Sequence, residues 1–95
     1  MTDDPEIRDA FDAEQAVLGA LMLGGDSAFA KVSTLRPEHM TDARHRWLMG
    51  ALLELHAERT PCDAVTVAEV LERRYPKRAV ELAGYVLEVA NGTPG

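Results

Sequence analysis

The chain has 95 residues, 46% of them hydrophobic and 27% charged, with a net charge of −6 and a single cysteine. A chain of this length forms one small domain, and its acid excess sets it against phosphate backbones, whose affinity for proteins comes from Lys and Arg releasing counterions. Cys62 has no partner for an internal disulfide, and no apolar N-terminal run acts as a signal peptide or spans a bilayer, so the sequence reads as a cytoplasmic globule with no membrane contact.

Residues 1–11 carry Asp3, Asp4, Glu6 and Asp9 together with Pro5, and read as an acidic N-terminal arm that docks through Ile7 and Phe11. The domain proper is expected over residues 12–95. Asp12 followed three residues later by Gln15 fits a capping box, in which each side chain satisfies the other's backbone N–H. A first helix is therefore expected over about 13–23, with Val17, Leu18, Leu21 and Met22 on one face and Gly24-Gly25 ending it through a residue free to take positive φ. Asp26 or Ser27 then caps a short second helix in which Phe29 and Val32 share a face, ending near Ser33. Pro37 suits the first position of a single turn, because its missing N–H would be unpaired there anyway, and Met40 is expected to turn inward.

The stretch Ala43–Glu58 is the centre of the chain. At about 100° per residue, Trp47, Leu48, Met49, Ala51, Leu52, Leu53 and Leu55 cover most of a helix, leaving Gly50, Glu54 and Glu58 as a narrow polar strip. A helix apolar over so wide an arc is buried on most sides, so its neighbours must wrap it. Asp42 is the expected cap. Arg59, Thr60 and Pro61 break the pattern. Thr66 with Glu69 makes a second capping box and Val65 with Val70 a hydrophobic staple, which predicts a helix from Val67 to about Arg74 burying Val67, Val70 and Leu71. Pro76 forces Tyr75 out of helical geometry. A last helix is expected from near Lys77, carrying Val80, Leu82, Ala83, Val86, Leu87 and Ala90 and ending at Asn91-Gly92. No strand-like alternation, repeat or low-complexity tract occurs. The fold class is all-α: a compact bundle of about five helices packed around the central helix at about 43–58.

Chemistry is hard to find along this chain. Gly19 and Gly24 have the glycine spacing of a phosphate-binding loop, but Gly25 stands where its lysine must be and the segment is helical rather than the exposed turn after a strand that such a loop requires. Gly19 instead allows a close approach between helices. His39, His45, His56 and Cys62 match no zinc-ligand spacing, and the three histidines read as capping or surface groups. Asp63 beside Cys62 raises the thiol pKa by like-charge proximity, which argues against a nucleophile. Carboxylate pairs such as Glu54 with Glu58 or Asp12 with Glu14 lack the concave site that drives two pKa values apart, and Glu14, in line with Val17, Leu18 and Leu21, reads as a first-turn acid favouring the helix dipole. No catalytic, cofactor-binding or metal-ligating residue is expected. Arg73, Arg74, Lys77 and Arg78 form the basic cluster, read either as cations complementing a helix C-terminus or as a partner surface.

Four segments taken in order, AEQAVLGALML (Ala13–Leu23), HRWLMGALLEL (His45–Leu55), PCDAVTVAEVLE (Pro61–Glu72) and YVLEVANGTP (Tyr85–Pro94), resemble the N-terminal domain of DnaB-type bacterial replicative helicases. The family pattern runs from a Glu-Ala-Glu-x-x-Val-Leu-Gly opening through a His-Arg helix and a Pro-x-Asp-x-x-Thr helix start to a Tyr-Leu-x-x-Leu segment closing in Asn-Thr-Pro. This chain departs from it at Asp12 and Ala13, at Gly84, which stands alone where paired glycines are usual, and at Gly92, which interrupts the close. The resemblance implies a helical domain without catalysis of its own, acting in DNA replication by packing into a collar with other helicase subunits and helping to recruit the primase. It also implies that ATP and Mg bind a motor domain elsewhere, and that the head alone is a monomer or weak dimer without direct DNA binding. On that reading the chain is either the excised head of a longer helicase, lacking the helical hairpin that follows it, or a free-standing regulator that mimics the head and competes for helicase or primase surfaces.

Overall fold

The computed structural model describes residues 5–32 and 34–92, with side chains from residue 8 onward. Four α-helices are found among them: α1 (Pro5–Lys31), α2 (Ala43–Ala57), α3 (Ala64–Arg74) and α4 (Ala79–Ala90), with 3₁₀ turns at Pro37–His39 and Pro76–Arg78. The all-α class is as expected. α1 packs on α2, α2 on α3, α3 on α4, and α4 returns to α1, closing a ring of helices around one apolar core. Leu18, Leu21, Leu48, Met49, Leu52, Val67, Leu71, Leu82 and Val86 lie at its centre.

α2 is sheltered as its composition requires. His45, Leu48, Met49, Ala51, Leu52 and Leu55 are buried, Trp47 and Leu53 are half-buried, and Asp42 caps the first turn by accepting the Arg44 N–H at 2.8 Å. Its far end is a C-terminal motif in which the Arg59 N–H reaches the His56 carbonyl at 3.0 Å and the Thr60 N–H that of Leu55 at 2.9 Å. That closure normally takes glycine; here Arg59 adopts φ 58°.

Several local expectations fail for identifiable reasons. α1 begins at Pro5 rather than near residue 13, because proline serves equally well as a first helical residue, where its missing N–H costs nothing. Asp12 is thus inside a helix and caps nothing. The expected stop at Gly24-Gly25 does hold: Gly25, at φ 60° and ψ −145° in a region open to glycine alone, breaks α1 into two helical stretches, the second of which carries Phe29. The docking proposed for Ile7, the end near Ser33 and the closing Thr93-Pro94 lie outside the described residues.

α3 starts one turn earlier than the Thr66 box predicted. Asp63 caps it, its Oδ1 accepting the Thr66 N–H at 2.8 Å and the Thr66 hydroxyl at 2.9 Å. A carboxylate acceptor at 63 displaces the hydroxyl at 66, since charge-assisted hydrogen bonds are the stronger. Val65 is consequently exposed and makes no staple, while Val67, Val70 and Leu71 are buried as expected. α4 follows the turn at Pro76, and its inward face is Leu82, Tyr85, Val86 and Val89; Val80 and Leu87 point to solvent. Gly19 performs its expected role. A Cβ there would lie 3.0 Å from the Val89 carbonyl, so α1 and α4 come this close only because the position has none.

Candidate interaction surface

Pro76 ends α3 and sets Tyr75 at φ −132°, which turns the chain through a tight corner. All four predicted cations, Arg73, Arg74, Lys77 and Arg78, sit exposed at this corner, and the structure divides them. The Arg74 guanidinium pairs with Glu54 across on α2. Arg78 lies 3.4 Å from Glu81 and 5.4 Å from the centre of the Trp47 ring, which itself stacks on Tyr75 at 4.9 Å. Exposed ion pairs of this kind contribute about 0–1 kcal/mol, so these two cations mainly fix the shape of the corner. Arg73 and Lys77 have no ion-pair partner among the described residues. They present charge to whatever approaches.

The polar groups missed by the sequence reading form a chain across the interior. Glu14 faces α2 from the middle of α1, so the helix-dipole reading of it fails. Its carboxylate accepts the Thr41 N–H at 2.7 Å, the Thr41 hydroxyl at 2.8 Å and the Asp42 N–H at 3.4 Å. The fully buried His45 adds Nδ1 at 2.7 Å from Glu14 Oε1 and Nε2 at 2.5 Å from the Tyr85 hydroxyl, which Gln15 also reaches at 3.3 Å. Glu14 accepts from the His45 Nδ1–H, the Tyr85 hydroxyl donates to His45 Nε2, and the Gln15 amide donates to the Tyr85 oxygen. Every member is then satisfied. Burial raises the Glu14 pKa, but the hydrogen bonds from His45, Thr41 and Asp42 together outweigh it and hold the carboxyl below its ordinary value. Burial pushes the Tyr85 hydroxyl up, partly offset by Gln15 and by Arg44, whose guanidinium lies 4.1 Å from the ring centre. Phe11 closes the cluster, its ring 4.5 Å from that of His45.

The remaining histidines are local. His39 Nδ1 accepts the Arg36 N–H at 3.1 Å and caps its own turn, as predicted, and half-buried His56 stacks on Phe29 at 4.0 Å with Asp26 3.5 Å away. No group of three or more His, Cys, Asp or Glu side chains able to hold a metal occurs among the described residues. A depression beside the Gly25 break is lined by Met22, Asp26, Phe29, His56, Arg59 and Cys62. Burial, then the charges of Asp63 and Asp26, push the Cys62 thiol up, so the predicted effect of Asp63 operates with burial ahead of it. A raised thiol pKa suppresses the thiolate that reacts.

The buried chain draws its members from three distant segments: Glu14 and Gln15 from the first, His45 from the second and Tyr85 from the last. These are the opening, the His-Arg and the tyrosine motifs of the sequence. The family model described as the DnaB-like helicase N terminal domain matches residues 7–95. The chain belongs to this family. Curated proteins similar to it include the replicative DNA helicases DnaB of Mycobacterium leprae, 34% identical over 82 residues and 86% of this chain, and of Rhodothermus marinus, 34% identical over 64 residues and 67% of it. The DnaB of Geobacillus stearothermophilus is 31% identical over 85 residues, 90% of the chain. The chain spans 14%, 7% and 19% of the length of these three relatives. No solved structure matches. Within a DnaB-like head, the His-Arg motif is legible as structure: His45 ties α2 to α1 and α4, while Arg46 holds the incoming loop through the Met40 and Thr41 carbonyls at 3.0 and 3.1 Å.

Proposed function

We propose that the chain is the non-catalytic head of the N-terminal domain of a replicative DNA helicase, acting in DNA replication in the cytoplasm by contacting other helicase subunits and the primase. The observation that carries this reading is the family match over residues 7–95. It is supported by the interior, whose buried polar groups are tied to one another and to the ends of helices rather than converging on a cleft. ATP and Mg belong, on this reading, to a motor domain apart from this chain. The corner at Arg73, Arg74, Lys77 and Arg78 is the proposed partner contact, with Arg73 and Lys77 its uncompensated charges. The acid excess opposes direct DNA binding.

Two measurements test the proposal together. The chain incubated with ATP should release no phosphate above a buffer control, and purified primase from the same source should be retained on immobilised chain. Robust hydrolysis, or primase passing through unretained, contradicts it. The isolated chain should scatter light as a monomer or weak dimer, and a stable hexamer would refute that part of the proposal.

A further inference from the structure

α4 carries more apolar surface than the fold uses. Its inward arc is Leu82, Tyr85, Val86 and Val89, yet on the outward arc Val80 is 90% and Leu87 55% exposed, and across from them on α3 Val65 is 69% exposed. Large side chains this open are usually scattered singly. Here Val65 and Leu87 border one groove. Its floor is Ala64, Ala68, Ala79 and Ala83, contributed equally by α3 and α4. A trough floored by methyl groups and edged by valine and leucine admits the ridge of a third helix at the ordinary interaxial distance of about 8–10 Å.

The charges around this trough decide what can occupy it. Glu69 and Glu72 line it from α3, and exposed Glu81 and Glu88 stand on α4. Glu81 is answered by Arg78 at 3.4 Å. The other three have no ion-pair partner among the described residues. A second copy laid face to face would bring these acidic rims together, and like charges juxtaposed across an interface disfavour it. A nucleic acid meets the same repulsion. We propose that the α3–α4 groove docks a basic amphipathic helix of a partner protein, with its apolar stripe against Val65 and Leu87 and its Lys or Arg side chains against Glu69 and Glu72. The net charge of −6 draws such a partner in from a distance. The inference rests on the reading of the chain as a binding head and names the chemistry of one element it binds.

The probe is a fluorescein-labelled 18-residue Leu/Lys peptide with leucines at i, i+3, i+4 and i+7, titrated by fluorescence anisotropy with the full chain. Saturable binding is expected, weakened about tenfold or more by Leu87→Lys and by Val65→Lys, since a tenfold loss is about 1.4 kcal/mol, within the range of a central contact that carries binding energy. Glu69→Lys with Glu72→Lys should do the same, and a Leu/Glu peptide should not bind. Leu23→Lys, at an exposed position on α1 away from the groove, should leave binding unchanged, and circular dichroism should show all variants folded. The proposal is overturned by absence of binding at millimolar peptide, by Leu87→Lys and Val65→Lys variants that bind as tightly as wild type, or by self-association of the chain that Leu87→Lys abolishes, which would make the occupant a second copy. If wild type and Leu87→Lys capture primase equally, the groove is excluded while the helicase-head reading stands; failure of both to capture primase, with the peptide still bound, has the reverse meaning.

Discussion

Glu14→Ala tests how much of the fold depends on the buried hydrogen-bond chain. The Glu14 side chain is 12% exposed and collects donors from the Thr41 backbone and hydroxyl, the Asp42 backbone and the His45 ring. The Thr41 donors lie where water can replace the lost carboxylate, so each contributes roughly 0.5 kcal/mol, the low end for a net hydrogen bond. His45 is fully buried, and its orphaned Nδ1–H carries a desolvation penalty of about 1–3 kcal/mol. The variant should therefore lose about 2–4 kcal/mol, a substantial part of the roughly 5–14 kcal/mol available to a domain of this size. Glu14→Gln keeps an acceptor for His45 and should lose about half as much. Because the folded-state pKa of Glu14 is depressed, the unfolded chain binds its proton more readily, and stability rises with pH across the titration. The contribution of the charge is thus fully present above the ordinary value of 4.5 and is lost as pH falls below it through the folded-state value. Urea denaturation followed by far-UV circular dichroism at pH 7 and pH 3 measures both effects, and comparison with Glu14→Gln cancels the other carboxylates. A Glu14→Ala loss under about 0.5 kcal/mol, or a wild-type advantage over Glu14→Gln that is equal at the two pH values, would refute the argument.

Three other perturbations follow from local geometry. Asp63→Ala should cost about 1 kcal/mol as a lost N-cap, while Thr66→Ala, removing only an exposed hydroxyl donor to Asp63, should cost less than half of that; equal costs in urea midpoints would return the cap to Thr66. Glycine to alanine should have opposite signs at two helical sites: Gly84→Ala fills open space and should stabilise by about 0.5–1 kcal/mol, whereas Gly19→Ala drives a methyl to 3.0 Å from a Val89 carbonyl that also accepts the Asn91 and Gly92 N–H groups, and should lower the thermal midpoint. Arg59→Gly should stabilise by about 1 kcal/mol, because φ 58° penalises any residue with a Cβ; a lower midpoint would mean the arginine side chain holds the helix end more firmly than its backbone strains it.

What the sequence discloses and what it hides separate along physical lines. The burial of α2 is legible because so many adjacent apolar residues leave no polar face to put outside, and Asp42 is legible because a capping carboxylate sits directly before that run. The start of α1 is not, since Pro5 has the same spelling as a breaker and as a first helical residue, and the Asp12–Gln15 spacing recurs harmlessly inside a helix. Asp63 and Thr66 compete for one helix end, and only the relative strength of their hydrogen bonds chooses between them. α4 is apolar over so wide an arc that periodicity leaves open which part faces inward; the neighbours decided against Val80 and Leu87. At the candidate surface, the closeness of Arg73, Arg74, Lys77 and Arg78 around Pro76 was legible from their spacing along the chain. His45 was not, because its partners lie 31 and 40 residues away. The one local sign was Glu14, a carboxylate in line with a buried face.

The central claim, that this chain works by offering surfaces rather than by chemistry, is tested most directly by a nuclear magnetic resonance titration of the labelled chain with unlabelled primase. The account predicts saturable shifts in the amides of exposed residues on α3, α4 and the turn at Pro76, with those of the buried residues Leu48 and Leu52 unmoved. No shift at stoichiometric excess, or shifts centred on the depression beside Gly25, would contradict it.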